Sequence, residues 1–313
     1  IMIRNLSLLI LCLFAGSLLA GNQNENGPRH YDSLVLSGPP AIVSWPLLRM
    51  IESGALSEWS DDVRFKVWTG PDQLRVNLLH EKVDFTALPV NVAANLHNKS
   101  VELELLNVST WGILWVVSRD KSLEHIEAIQ GKTLAVPFRG DMPDILLQLV
   151  ANQSGLDSGE DFQSQYVSST PQAAKLLISG RVDHALLSEP AVSMVLEKTS
   201  RLKASGAAPE LHRSFSIHEE WGRVFSTSAR IPQAGIAAVG KKPKSLNRAL
   251  FIAYEQALKW CMENPEDCAD MVVSNLDRFN KNAVVQALEN IPMESWSAAE
   301  AKPQLSAFFE RVK

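Results

Sequence analysis

The residues of this 313-residue chain best suited to chemistry gather in a few short segments, each placed where an apolar run stops. Ser37-Gly38-Pro39-Pro40 follows the first run, with Ser44-Trp45 just beyond it; Thr69-Gly70-Pro71 follows the second and Leu88-Pro89-Val90-Asn91 the third. In the second half the corresponding segments are Pro137-Phe138-Arg139-Gly140-Asp141 and Ser188-Glu189-Pro190. Hydroxyls and amides at such places offer hydrogen bonds, and glycine lets backbone approach a ligand closely. Helix starts add free N–H groups at the positive end of the dipole, which suit an anion or a polar acceptor. Arg139, between Phe138 and Gly140, has the planar fork that holds a carboxylate or sulfonate. The same residue could equally be a surface cation paired with Asp141 or Asp144. Trp45, Trp111 and Phe138 are candidate flat walls for an aromatic or cationic ligand, with core packing the alternative for any one of eight tryptophans.

This is equipment for binding; bond-breaking constellations are missing. Histidines stand at 30, 80, 97, 125, 184, 212 and 218 without the H-E-x-x-H spacing of a zinc hydrolase. There is no G-x-S-x-G elbow and no G-x-G-x-x-G turn. Gly131-Lys132-Thr133 resembles the end of a phosphate loop, but Ile126 stands where that loop needs its first glycine, and the segment precedes a strand instead of following one. Asp61-Asp62 and Glu219-Glu220 read as solvated acids at turns or helix starts. Thirty basic residues against 35 acidic ones give a net charge of -5, with no basic cluster to release phosphate counterions, so nucleic acid is excluded as a partner.

The elements that position these segments alternate. Short β-rich runs at 34–36, 63–67, 83–87, 103–108, 113–117, 133–136, 165–167, 184–187 and 235–239 are separated by amphipathic patterns such as 72–80 and 142–152. That alternation is the signature of an α/β fold with mainly parallel sheets, which places ligands at the carboxyl ends of its strands. Beyond Ser245 the pattern predicts a tail made only of helices, at 246–263, 267–275, 282–289 and 298–312. An internal repeat supports two similar halves. PDQLRVNLLHEKVDFTALP (71–89) and PQAAKLLISGRVDHALLSEP (171–190) share a starting Pro, a Leu-Leu pair and a Val-Asp entry to a strand, with the Val-Asp steps 99 residues apart.

The first residues have a different character. Arg4 is followed by an almost unbroken apolar stretch from 6 to 19, then Ala20-Gly21 and a polar run, which reads as a secretory signal over 1–21 with an exported, soluble protein beyond it. Cys12 falls within it, leaving Cys261 and Cys268 on either side of Asn264-Pro265. In an oxidising compartment these form a local disulfide if their Cα atoms lie within reach; the alternative is two independent cysteines on adjoining helices. With no third Cys or His nearby, they do not make a metal site.

Taken together, GPPAIVSWPLLRMIESGAL (38–56), GKTLAVPFRGDMPDILLQLVANQSGL (131–156), PQAAKLLISGRVDHALLSEPAVSMVL (171–196) and ENPEDCADMV (263–272) resemble the periplasmic substrate-binding proteins of ABC importers. The similar group is the one covering nitrate, aliphatic sulfonate, taurine and thiamine-pyrimidine binding. The resemblance implies the two-lobed, type II periplasmic-binding-protein fold, with lobe one formed by 31–116 plus 236–313 and lobe two by 117–235. It puts the crossings near 115–117 and 232–236. It implies a small-molecule ligand, anionic or heteroaromatic, bound between the lobes and delivered to a membrane permease with its ATPase, with no cofactor, no catalysis and no membrane contact except through the permease. The ligand residues it implies are Ser37, Gly38, Ser44, Trp45, Thr69, Gly70, Pro89, Asn91, Trp111, Arg139, Gly140, Asp141, Ser188 and Glu189. Phe138-Arg139 departs from the small residues usual there, and Glu189 would suit a cationic or hydrogen-bond-donating ligand group, which leaves ligand charge open. An enzyme of pyrimidine or cofactor biosynthesis on the same fold and an exported ligand sensor are the alternatives.

Overall fold

A computed structural model describes residues 30–80, 83–203 and 210–312; the expected export signal at 1–21 lies outside them. The chain first lays down β1 (Leu34–Gly38), α1 (Trp45–Glu52), β2 (Val63–Val67), α2 (Pro71–His80), β3 (Phe85–Pro89) and α3 (Val90–Asn98). Then come β4 (Leu103–Leu105), β5 (Asn107–Thr110) and β6 (Leu114–Ser118). The order of the first part then recurs as β7 (Thr133–Pro137), α4 (Met142–Gln153), β8 (Gln163–Val167), α5 (Thr170–Ile178), β9 (His184–Ser188) and α6 (Ala191–Lys203). After β10 (His212–Ser216), α7 (Ile217–Phe225) and β11 (Ala234–Val239) come α8 (Lys244–Glu263), α9 (Pro265–Asn275), α10 (Lys281–Glu289), β12 (Met293–Ser297) and α11 (Lys302–Arg311).

Among the described residues the strands form two sheets, one ordered β12-β5-β11-β3-β1-β2 with β4 also on β11, the other β10-β6-β9-β7-β8. The parallel trio β3-β1-β2 of the first has the same layout as β9-β7-β8 of the second. The repeat read from the sequence is therefore structural, down to its helix starts. Thr69 N–H and Oγ1 both donate to Gln73 Oε1, and Ser168 N–H and Oγ both donate to Gln172 Oε1, 99 residues later. Parallel pairing stops at these trios. Every further strand, β11, β4, β5 and β12 in one sheet and β6 and β10 in the other, joins antiparallel.

The departures from the sequence reading trace to contacts far along the chain. The run at 103–108 is split into β4 and β5 because Asn107 interrupts the ladder: its side-chain Oδ1 accepts from Ile236 N–H at 2.8 Å, and its Nδ2 donates to Ser295 Oγ. The tail beyond Ser245 contains the edge strand β12, whose sequence MESWS has no apolar run and which is fixed by pairing Trp296 with Val108. Likewise β10, HRSFS, is held by β6. Residues 115–117, expected to cross between lobes, are instead the middle of β6, wholly in the second sheet; the crossings run from Thr110 to Leu114 and from Ile231 to Ala234. Glu220 also differs from expectation. It is buried, and takes hydrogen bonds from Ile126 N–H and Arg223 and a contact with His125.

The first sheet buries Leu34, Leu36 and Phe85 against Leu47, Leu250 and Tyr254 of α1 and α8, and the second buries Val117, Ala135 and Leu187 against α5 and α6. Helix α11, expected with lobe one, packs instead on α7 beside the second sheet, with the Phe308 ring 6.3 Å from that of Trp221. Among the described residues no helix is long and apolar enough to cross a membrane.

Cys261 and Cys268 are bridged, their Cα atoms 5.1 Å apart, joining α8 to α9 across Asn264-Pro265. Closing so short a loop removes about 2–3 kcal/mol of unfolded-chain entropy on the chain-entropy account. Cysteine-to-serine replacement at both positions is therefore expected to lower the denaturant midpoint by that amount, and addition of reductant to the unaltered protein should reproduce the loss.

Candidate functional site

The two sheets present the carboxyl ends of their parallel strands to one another. The link is short: β5 ends at Thr110 and β6 begins at Leu114, so the chain passes between sheets in three residues. Glu189 N–H donates to Ile113 C=O, Val90 N–H donates to Gln233 C=O, and Gln233 Oε1 accepts from Ile113 N–H at 2.7 Å. Gln233 thus ties both crossings to the start of α3. Across the gap, Asp141 at the start of α4 receives a hydrogen bond from Asn91 of α3 and faces Arg75 and Asp72 of α2. Burial pushes the Asp141 carboxyl up, against the opposing pull of Arg75 and the Asn91 hydrogen bond.

On the first edge Ser37, Gly38 and Ser44 come together. A Cβ on Gly38 would lie 2.2 Å from Ser44 Oγ, so only glycine leaves room for that hydroxyl. Ser37 Oγ and Ser44 Oγ are buried without a partner among the described residues, as is Asn91 Oδ1. Helices α1 and α3 begin here without a side-chain cap. Pro89 ends β3 and stands at the start of α3. Thr69 and Gly70 lie at the next strand end but are more open: Thr69 is engaged locally by Gln73, and the space beside Gly70 is empty.

On the second edge Arg139 and Gly140 are exposed, and Arg139 makes no ion pair with a described residue. Neither Asp141 nor Asp144 neutralises it. The guanidinium lies over the Tyr166 ring at 4.9 Å, while Asp144 accepts from Gly140 N–H and from Tyr166 O–H. Ser188 ends β9 beside Leu114. Glu189 is fully buried and its carboxylate is already occupied, by Arg213 and by the N–H and hydroxyl of Ser193. A cationic ligand group therefore does not find it free.

The two tryptophans expected as walls are core residues. Trp111 is 0 % exposed, lies 4.7 Å from the Trp296 ring and donates its Nε1–H to Glu294 C=O at 2.7 Å. Trp45 is also 0 % exposed and packs edge-on to Phe279 near the disulfide, though its Nε1–H lacks a partner among the described residues. The sequence reading missed Trp68, Thr110, Trp115 and His218 at these strand ends, and Arg213, which pairs with Val117 further along the sheet and reaches Glu189 with its guanidinium. Trp68, Thr110, Trp115 and His218 each carry a buried polar atom without a described partner. Only the capping pair Ser216 and Glu219, three residues apart, marked the start of α7 in the sequence.

Comparison with known proteins bears on the fold and the family. No curated protein sequence matches the chain. Among solved structures, an ABC transporter protein from Parabacteroides distasonis superimposes with a TM-score of 0.73 at 19 % identity, over 90 % of this chain and 92 % of the other. The periplasmic aliphatic sulphonate binding protein SsuA from Escherichia coli gives 0.67 at 13 %, over 90 % and 87 %. The periplasmic nitrate-binding protein NrtA from Synechocystis gives 0.62 at 15 %, over 88 % and 75 %. These establish the two-lobed fold. Residues 49–280 match the family described as "ABC transporter, phosphonate, periplasmic substrate-binding protein", so the chain belongs to that family of ABC solute-binding proteins.

Proposed function

We propose that this solute-binding protein captures a small oxyanion, or a small molecule bearing one, between its lobes and hands it to a membrane permease driven by its ATPase. The carrying observation is the set of buried polar atoms without described partners on facing strand ends: hydroxyls of Ser37, Ser44 and Thr110, and indole N–H groups of Trp68 and Trp115. Most can donate, and an indole N–H can only donate. Donors with no free cation beside them suit acceptor oxygens whose charge is spread over several atoms. The named sulphonate- and nitrate-binding proteins of the same fold, and the phosphonate family, support the same class. The lobes on this reading are roughly 31–112 plus 234–301 and 113–233, with Arg139 at the rim as an attracting cation in a chain of net charge -5. The apolar stretch at 6–19 supports export to the periplasm as a soluble protein.

An enzymatic role gains nothing from the site. The one close hydroxyl–imidazole contact among the described residues, Ser118 Oγ to His184 Nδ1 at 2.7 Å, is buried at the opposite end of the second sheet, where Ser118 also accepts from Asp120 N–H.

A panel of nitrate, alkanesulfonates and alkylphosphonates added to the purified protein tests the proposal. At a hundred times Kd a ligand bound only by the folded state adds about 2.7 kcal/mol, a rise in melting temperature on the order of 5 °C or more. No rise with any member of the panel would overturn the oxyanion reading.

A further inference from the structure

We propose that Trp115 and His218 form the second lobe's half of the ligand site, a rigid, uncharged subsite that takes an acceptor oxygen of the ligand; this rests on the interlobe reading above. Trp115 is the second residue of β6, opposite Leu187 of β9 and Ser216 of β10, at the sheet end that faces the first lobe. His218 is the second residue of α7, immediately after β10. Their rings meet edge to face, with centroids 5.9 Å apart and planes at 85°. Both are clamped. The Arg213 guanidinium lies over the indole at 4.8 Å and is itself anchored by Glu189. The imidazole presses on the crossing at Gly112, where a Cβ would come within 2.4 Å of His218 Cγ. Residue 112 must therefore be glycine for the histidine to lie where it does.

Although so tightly held, Trp115 Nε1 and His218 Nδ1 are buried without a partner among the described residues. Buried polar groups are normally satisfied, and a missing partner carries a desolvation cost. Trp111 is the internal contrast: it is a core tryptophan of this same region, and its Nε1–H is satisfied by Glu294 C=O. Two adjacent rings, fixed by packing and left with open hydrogen-bonding atoms at the ligand-facing end of a sheet, are preorganised for something not part of the chain.

The chemistry of the pair narrows what that is. The indole offers only a donor, and a neutral imidazole offers one donor or one acceptor at Nδ1 according to tautomer. The Arg213 charge is cancelled by Glu189, so the pair presents hydrogen bonds without net charge. Burial pushes the His218 pKa down, against a weaker opposing pull from Glu219, which keeps the ring neutral. The Trp115 N–H fits an oxygen of a sulfonate, phosphonate or nitrate group and offers no acceptor to an ammonium group.

The test uses the full chain with methanesulfonate, methylphosphonate and nitrate as probes, read by calorimetry. Trp115→Phe keeps a flat ring beneath Arg213 and removes the N–H together with the five-membered part of the indole. It is expected to lower the ligand-free melting temperature only slightly while weakening the best-bound probe about 10- to 100-fold. In the unaltered protein the Trp115 indole proton resonance should move on addition of that probe and the Trp111 resonance should not. Wild-type affinity in Trp115→Phe, alongside lost affinity in Ser44→Ala, would overturn this subsite and leave the interlobe site standing. A parallel fall in ligand-free stability with unchanged affinity would show a structural role only and overturn it too. No binding of any probe by the unaltered protein would overturn the oxyanion reading and this inference with it.

Discussion

Arg213→Met is expected to destabilise the protein by about 3–5 kcal/mol, the usual cost of removing one partner from a buried ion pair. The Glu189 side chain is 0 % exposed and that of Arg213 is 17 % exposed, so neither charge finds water when the other leaves. In Arg213→Met the carboxylate keeps only the N–H and hydroxyl of Ser193, at 3.2 and 3.1 Å. Ser193 Oγ in turn loses the hydrogen bond it accepts from Arg213 Nη2. The double replacement Glu189→Leu with Arg213→Met should recover much of the loss, because well-packed apolar groups can replace a buried pair at little cost. Urea midpoints of the two single variants and the double one give the coupling energy, which we expect to exceed 1 kcal/mol. Additive losses would show that Glu189 and Arg213 act independently. The pair has a local consequence as well: it fixes the cation above Trp115 and so the floor of the second lobe's edge.

Much of the fold was legible because its signals are local. The parallel trios are built from runs such as Leu34–Gly38 and Thr133–Pro137, apolar enough to be recognised without knowing their neighbours. The repeat was legible in its shared Pro, Leu-Leu pair and Val-Asp step, and the structure adds a common turn, a hydroxyl residue and a glutamine four residues on at the helix start. What escaped depends on partners far along the chain. The strand β12 is made of Met, Glu, Ser and Trp and exists because β5, almost 190 residues earlier, has an open edge. The α11 docking on α7 is a tertiary choice that its own pattern does not announce.

The site divides in the same way. Ser37, Gly38, Ser44 and Asn91 sit at strand ends whose position follows from the strands, so the place of the first edge was readable. Arg139 was readable as a cation but not its resting place over Tyr166, which comes from the neighbouring strand β8. Trp45 and Trp111 were overread, since a tryptophan beside a strand end is as easily turned into the core. Trp115, Arg213 and His218 were missed because they converge from positions about a hundred residues apart, through an antiparallel pairing with a bulge between Arg213 and Phe215.

Gly235→Ala is expected to be among the most damaging single-methyl additions to this protein, and the reason is Asn107. A Cβ at Gly235 would lie 1.9 Å from the backbone oxygen of Asn107 and 3.1 Å from Val108 Cα. The obstruction is backbone, held from both sides: Leu106 N–H donates to Ile236 C=O, and the Asn107 side chain accepts from Ile236 N–H. Neither strand can yield without breaking the pairing of β11 with β4 and β5, so the loss should reach about 3 kcal/mol or more, at the upper end of overpacking costs. Gly54→Ala is the control. Its φ of +66° disfavours alanine, but nothing lies within 4 Å of the new methyl, so only the conformational penalty of about 1–2 kcal/mol applies. Asn107→Ala should not rescue Gly235→Ala, because the obstructing atom is the main-chain oxygen and the substitution also strips Ile236 N–H of its acceptor. Rescue would show instead that the side chain holds the strand against Gly235. Because Gly235 directly follows the return crossing through Gln233, the variant should also weaken ligand binding in whatever fraction remains folded, measurable by calorimetry below its melting temperature. Full stability in Gly235→Ala would mean that β4 and β5 can slide as one strand, and that the break at Asn107 is not what sets the crossing.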